Sequence, residues 1–87
     1  MLNMKGDRKD GAETELMRIS QAASAGGVSP QTLEYYIMVG LIEPIRRPGK
    51  RGRLFDESHV TRIRLIRQLN QSGYTLRSIR ETYLRER

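Results

Sequence analysis

Residues 26–40 read GGVSPQTLEYYIMVG, and this stretch decides the fold. Ser29 is a favoured N-cap, and Pro30 suits the first helical position because its missing N–H would find no helical partner there. The apolar residues that follow are spaced three and four apart, on one face of a helix: Leu33, Tyr36, Ile37 and Leu41. Gly40 is a normal helix stop. The stretch therefore predicts a short helix over residues 29–39 that follows a glycine break.

A second short helix is predicted immediately before the glycine break. Residues 16–25 are mostly small and apolar with helical spacing, and Ser20 is the expected N-cap. Two short helices joined by a glycine-containing turn form a helix-turn-helix, whose second helix enters the major groove of DNA. The residues expected to meet base edges lie in the first turns of that helix: Ser29, Gln31, Thr32 and Tyr35. An ordinary helix pair with a polar outer face is the alternative, because helix-glycine-helix alone is a weak signal.

Residues 45–55 read IRRPGKRGRLF and predict a two-stranded β-hairpin with a Pro-Gly turn. Its tip carries five cations within eight residues and no acid: Arg46, Arg47, Lys50, Arg51 and Arg53. Such self-repulsion contributes nothing inside a folded protein, but it becomes favourable against phosphates, because each neutralised phosphate releases counterions. The hairpin is therefore predicted to be a basic wing that grips the DNA backbone. A disordered basic loop is the alternative.

Two further helices complete the predicted fold. Asp56 caps a helix that ends at the Ser-Gly pair 72–73, and Thr75 caps the last one. Their apolar positions are expected to face the core: Val60, Ile63, Ile66 and Leu69 in the first, and Leu76, Ile79 and Tyr83 in the second. The expected fold is mainly α, a winged helix-turn-helix of four helices with a small two-stranded β-hairpin wing. It covers residues 16–87 and follows a flexible polar tail, residues 1–15.

The charge of the chain is distributed unevenly. The whole chain has 87 residues and a formal net charge of +6. Residues 45–87 contain twelve arginines and lysines against four acids, a net charge of +8, whereas residues 1–44 contain four against six, a net charge of −2. Eleven of the twelve are arginines, whose planar guanidinium group suits phosphate oxygens and guanine edges. The asymmetry favours a polyanionic partner, and we expect double-stranded DNA.

What the sequence lacks disfavours several classes of function. Without cysteine the chain has no disulfide, thiolate metal site or cysteine nucleophile. His59 is the only histidine, and we expect it to be exposed to solvent rather than to bind a metal. No acid–base pair, phosphate-binding glycine motif or activated nucleophile is visible, so we expect neither catalysis nor a cofactor. No apolar run suits a membrane helix or a signal peptide, which predicts a cytoplasmic protein associated with the nucleoid.

Several short motifs occur in an order and spacing typical of one family. They are MRISQAA at 17–23, GVSPQTL at 27–33, Tyr35-Tyr36, GLIEP at 40–44, Arg47, RLF at 53–55 and SGYTL at 72–76. Together they resemble the DNA-binding domain of the MerR family over roughly residues 17–84. Family regulators typically continue into a dimerising helix and an effector domain, and we expect neither within the sequence to Arg87.

The resemblance implies roles for particular residues. Gln31, Thr32, Tyr35 and Tyr36 would lie on the recognition helix, Arg53 and its basic neighbours on the first wing, and Tyr74 and Thr75 on a second wing. There the start of the last helix would bind a phosphate. For Tyr36 and Tyr74, core packing with a surface hydroxyl stays open. The complete set of candidate DNA-contacting residues is Arg18, Ser29, Gln31, Thr32, Tyr35, Tyr36, Arg46, Arg47, Lys50, Arg51, Arg53, Tyr74, Thr75 and Arg77.

Three positions depart from the family pattern. The family usually has arginine at the position of Glu34, an acid at that of Ile37 and tyrosine at that of Gly52. Glu34 places a repulsive charge near DNA, unless it accepts a hydrogen bond from cytosine. Gly52 removes an aromatic contact from the wing. The operator and the affinity are therefore expected to differ from the family's usual ones.

The leading hypothesis is a transcriptional regulator that reads the major groove with residues 29–39 and grips phosphates with residues 46–53. The resemblance implies that it acts by distorting promoter DNA. One alternative is a DNA-bending factor of the excisionase type. Another is a protein-binding adaptor that uses Met38 and Val39 as an apolar contact. RNA polymerase and another regulator are further candidate partners, and a homodimer or a head-to-tail assembly on DNA is the expected oligomer.

Overall fold

The computed structural model describes residues 16–83, which form four helices in the predicted order. The helices are α1 (Ile19–Gly26), α2 (Pro30–Met38), α3 (Glu57–Gln71) and α4 (Leu76–Thr82). The predicted tail, residues 1–15, lies outside the described residues. Within residues 16–83 no helix is long and apolar enough to cross a membrane.

Side-chain caps start the last three helices where the sequence predicts them. The Ser29 hydroxyl oxygen accepts a hydrogen bond from the Thr32 backbone N–H at 3.0 Å, at the start of α2. Asp56 accepts one from the His59 N–H at 3.2 Å, and Thr75 accepts one from the Ser78 N–H at 3.0 Å. Each bond satisfies one of the N–H groups that a helix start leaves unpaired.

The predicted cap of α1 is wrong. The structure places the N-cap at Arg18, so Ser20 lies inside the first helical turn. The side-chain oxygen of Gln21 accepts a hydrogen bond from the Arg18 N–H at 3.1 Å, which stabilises this earlier start. This is the Gln half of a capping box, in which the third helical residue reaches back to the cap.

The core surrounds the apolar face of α3. The side chains that are fully buried and largest are Phe55, Leu33, Leu41, Ile63, Ile66, Ile79 and Val60. The apolar face predicted for α3 is thereby confirmed, with Leu69 packed partly buried at its edge. Tyr83 was predicted to face the core and does not, since it is 46% exposed. The Tyr83 N–H still donates to the Ile79 carbonyl at 2.9 Å, but the ring lies at the surface and meets that of Tyr74 edge-on at 5.4 Å.

Helices α1 and α3 approach each other most closely at Gly26. A Cβ atom at this position would lie 2.4 Å from Cγ2 and 2.9 Å from Cβ of Ile63. A rotation of the Ile63 side chain moves its Cγ2 but not its Cβ, so a methyl group at position 26 has to push the two helices apart. Glycine at position 26 therefore allows α1, the first helix of the helix-turn-helix, to pack closely against α3.

We expect Gly26→Ala to destabilise the protein by about 1–2 kcal/mol, because overpacking outweighs the helix propensity that alanine gains. The free energy of unfolding in urea measures the effect. Ser24→Ala is the matched control, since Ser24 is exposed on the same helix and should change stability little. An unchanged or raised stability of Gly26→Ala would show that the helices adjust without cost.

The segment between α2 and α3 folds back on itself without forming strands. Within residues 16–83 the only β structure is two isolated antiparallel bridges, Ile45–Leu54 and Met17–Phe55. Ile45 and Leu54 exchange two backbone hydrogen bonds, of 2.8 and 2.9 Å. The predicted two-stranded hairpin is thus represented by one residue pair, because Gly52 has a φ of +84° and turns the chain out of the extended conformation.

The predicted Pro-Gly turn is present at the tip of this segment. The Lys50 N–H donates to the Arg47 carbonyl at 3.1 Å, and Gly49 has the positive φ, +79°, that a type II turn requires at its third residue. We call residues 46–53 the basic loop. Its two ends are held together by the Ile45–Leu54 bridge.

Candidate nucleic-acid interface

Helix α2 presents an exposed polar edge near its start. Gln31 is exposed and its side chain makes no hydrogen bond within residues 16–83, and Tyr35 is 48% exposed. Ser29 and Thr32 are partly committed to the cap, since the Ser29 hydroxyl also donates to Thr32 Oγ1 at 3.0 Å. Gln31 and Tyr35 are therefore the side chains of this edge that are most available to a base.

Tyr36 belongs to the core rather than to this edge. Only 4% of the residue is exposed. Burial raises the pKa of its hydroxyl, and the positive charge of Arg67 partly offsets the rise. Of the two roles that the sequence leaves open for Tyr36, the structure supports core packing.

A two-point ion pair joins α2 to the end of the basic loop. The guanidinium group of Arg53 donates to the two carboxylate oxygens of Glu34 at 2.9 and 2.8 Å. The hydrogen bonds from Arg53 hold the pKa of Glu34 below its ordinary value, although desolvation opposes them. Glu34 was expected to repel DNA unless it accepted a hydrogen bond from cytosine, and Arg53 to contact the DNA backbone, whereas the structure pairs the two. The pair places the base of the loop beside the exposed face of α2.

The other four cations of the basic loop have no such partner. Arg46, Arg47, Lys50 and Arg51 are exposed and form no ion pair within residues 16–83. Their mutual repulsion is not offset by any described acid. Four charges without an ion-pair partner in the described part of the chain, next to an exposed helix edge, form a surface suited to phosphates.

Arg18, a candidate DNA contact, instead binds the backbone of the basic loop. Its guanidinium group donates to the backbone carbonyl of Arg51 at 2.7 Å. It also lies next to Gly52, where a Cβ atom would be 3.1 Å from Arg18 Nη1. Glycine thus leaves room for the arginine that holds the loop, which gives a structural reason for the family departure at this position.

His59 ties the two ends of the loop segment together, so the expectation that it is solvent-exposed is wrong. Only 13% of its side chain is exposed. Nε2 lies 2.8 Å from the Glu43 carbonyl, and Nδ1 lies 3.1 Å from the Asp56 backbone nitrogen. Nδ1 also lies 2.9 Å from Oδ1 of the Asp56 side chain, so the ring bridges the Glu43 carbonyl and the Asp56 cap. Histidine three residues after an Asp cap is the sequence signal that points to this arrangement.

A cleft lies between α2 and α4, the helix that follows the predicted second wing. Tyr35 and Val39 of α2 and Leu76, Arg77, Arg80 and Glu81 of α4 line a cavity of about 300 Å³. Tyr74 is 43% exposed, and Arg77 is highly exposed with its Nε 3.3 Å from Glu81. Thr75 Oγ1 is engaged in capping, so one N–H of the expected phosphate site is already bonded. The cleft brings Tyr35 and Arg77 to the same part of the surface.

Comparisons with known proteins identify the family of the chain. The sequence model of a family described as MerR HTH family regulatory protein matches residues 17–85. The chain belongs to the MerR family. Among MerR relatives, the transcriptional regulator HmrR of Sinorhizobium medicae is 32% identical over 65 residues, which are 75% of this chain and 44% of HmrR. ZntR of Escherichia coli K12 is 36% identical over 66 residues, which are 76% of this chain and 47% of ZntR.

A solved MerR-family structure shares the fold. The crystal structure of the transcription regulator PbrR691 from Ralstonia metallidurans CH34, in complex with lead(II), matches with a TM-score of 0.68 and 32% identity. The match covers 75% of this chain and 51% of PbrR691. The chain thus spans about half the length of the MerR relatives it matches. These relatives are transcription regulators and not enzymes, in agreement with the absence of a catalytic constellation noted in the sequence. No cluster of three or more metal-binding side chains occurs within residues 16–83.

Proposed function

We propose that the chain is a DNA-binding regulator of transcription that places α2 in the major groove and the basic loop on the phosphate backbone. The observation that carries the proposal is the exposed Gln31–Tyr35 edge of α2 beside a loop in which four cations have no ion-pair partner among residues 16–83. A glutamine side chain pairs with adenine through two hydrogen bonds, and an arginine-rich loop gains affinity from phosphates irrespective of sequence. Base reading and backbone binding are thus assigned to different residues.

Distortion of promoter DNA is part of the same proposal. Backbone contacts from the basic loop on one side of α2 and from Tyr74 and Arg77 across the cleft would hold two stretches of phosphates. Such contacts offset a bending cost of a few kcal/mol. RNA polymerase and a second copy of the chain, in a homodimer or head to tail on DNA, are the partners that this function favours, and the nucleoid is the location.

A protein-binding adaptor is the second candidate, because Met38 is 73% exposed on α2. The titration of labelled genomic duplex fragments at several salt concentrations separates the two functions. A DNA-binding regulator gives a steep linear fall of log affinity with log salt, with about 0.9 of slope for each phosphate contacted. Absence of binding at low salt would reject the regulator and leave the adaptor.

Gln31→Ala is expected to change the sequence preference and leave the salt slope unchanged. Loss of a bidentate base contact costs about 1–3 kcal/mol at the preferred site, which is roughly a 5- to 150-fold loss of affinity. Selection from a random duplex pool, followed by titration of the preferred sequence, measures both quantities. Gln68→Ala, at an exposed position of α3, is the matched control and should alter neither. A retained preference in Gln31→Ala would remove this residue from base recognition.

A further inference from the structure

The contact between Glu34 and Arg53 is made across 19 residues of sequence and fixes the geometry of both groups. Two parallel hydrogen bonds between a guanidinium group and a carboxylate define the orientation of both planes, which a single bond does not. Glu34 is the only acid of α2 and lies among its exposed residues. Glu34, on the helix that we propose reads bases, is therefore paired with Arg53, a cation of the loop that we propose binds phosphates.

The pair changes the charge that the loop offers to DNA. Five cations lie in the basic loop, and Glu34 compensates one of them. A transfer of Arg53 from Glu34 to a phosphate would leave the carboxylate uncompensated beside the DNA backbone. The new attraction and the new repulsion oppose each other, so the transfer brings little net electrostatic gain. The pair is therefore expected to persist when DNA is bound.

We propose that Glu34 is a specificity-determining residue that acts through Arg53. It withholds one positive charge from the phosphates, which lowers affinity for DNA of any sequence, and it holds the loop base in a fixed place beside α2. The withheld charge acts alike on every sequence, so the preference for one sequence comes from the second effect, the fixed place of the loop base beside α2. The inference rests on the proposed DNA-binding function and assigns Arg53 to positioning rather than to the phosphate grip.

Substitutions that replace a charged side chain by neutral glutamine test this assignment. The variants are Glu34→Gln, Arg53→Gln and the double variant, titrated with a random-sequence duplex over a range of salt. Glu34→Gln frees the Arg53 charge, so its salt slope should steepen by about 0.9 and its affinity at about 0.1 M salt should rise up to roughly tenfold. Its preference for a selected sequence over the random duplex should fall. The double variant replaces one neutral pair by another, so its slope should equal that of the wild type.

The rival assignment, in which Arg53 binds a phosphate, predicts a different result. The double variant would then lose one phosphate contact, and its slope would flatten by about 0.9 relative to the wild type. That outcome, or an unchanged slope in Glu34→Gln, overturns the inference while the DNA-binding function stands. Failure of the wild type to bind the random duplex at low salt overturns the function and the inference together.

Glu57→Gln is the matched control for net charge. Glu57 is an exposed acid in the first turn of α3 and forms no ion pair within residues 16–83. Removal of its charge changes the net charge by the same amount as Glu34→Gln without freeing Arg53. A slope change as large as that of Glu34→Gln would show a general charge effect and overturn the inference. Unfolding midpoints of all variants separate changes in binding from loss of fold.

Discussion

Replacement of Arg46, Arg47, Lys50 and Arg51 together by glutamine is expected to remove most of the affinity for duplex DNA. These four cations are exposed and unpaired within the described part of the chain, so each is available to a phosphate. If each makes one contact, the salt slope flattens by about 3.6 and the affinity near 0.1 M salt falls by between three and four orders of magnitude, about 4,000-fold. Titrations of a labelled duplex at several salt concentrations measure both changes.

The fold should survive this quadruple substitution. The loop is closed by backbone bonds between Ile45 and Leu54 and by His59, none of which is changed. Removal of four neighbouring like charges also relieves repulsion. An unfolding midpoint close to that of the wild type is the required control. A slope within about one unit of the wild-type slope would show that the loop is not the phosphate-binding element.

Phe55→Ala is expected to have the largest effect on stability. Phe55 is fully buried, its ring meets His59 edge-on at 5.5 Å, and its backbone exchanges hydrogen bonds of 2.7 and 2.9 Å with Met17. Truncation of a buried phenylalanine costs about 3–5 kcal/mol, a large part of the stability of a domain of this size. The melting temperature should fall by roughly 15 °C or more.

Thermal unfolding followed by circular dichroism measures this effect. Phe55→Leu is the matched control, because it keeps most of the apolar volume and should cost clearly less. Because Phe55 lies two residues after the basic loop, Phe55→Ala should also weaken DNA binding at temperatures where the protein remains folded. A stability loss below about 1 kcal/mol would show that the core closes around the missing ring.

The helices were predictable from local signals. Ser29, Asp56 and Thr75 are caps that act on N–H groups two or three residues away, so a single sequence contains both partners of each bond. The apolar face of α3 was predictable for the same reason, since its period is set within the helix. The start of α1 was not predictable in this way. The Gln21 side chain accepts a hydrogen bond from the Arg18 N–H, and this favours Arg18 over Ser20 as the N-cap.

The contacts that arrange the candidate site join residues far apart in sequence. The bond from Arg18 to Arg51 spans 33 residues and the pair of Arg53 with Glu34 spans 19. Composition and spacing show that these residues are charged but not which of them meet. The sequence therefore predicted the interface as a set of cations and a helix edge. It missed that two of the predicted DNA contacts, Arg18 and Arg53, are engaged with the chain itself.

The closure of the loop segment at its base has a consequence for how this protein diversifies. His59 joins Glu43 to Asp56, and the Ile45–Leu54 bridge lies just inside that junction. We therefore expect the helices to keep their places when the Pro48-Gly49 tip is changed. Because the entropy of closing a loop grows only slowly with length, by about 0.6 kcal/mol per doubling, insertions at the Pro48-Gly49 tip are tolerated cheaply. We therefore expect that the length and charge of the tip can be altered, in evolution or by engineering, while the helices keep their fold.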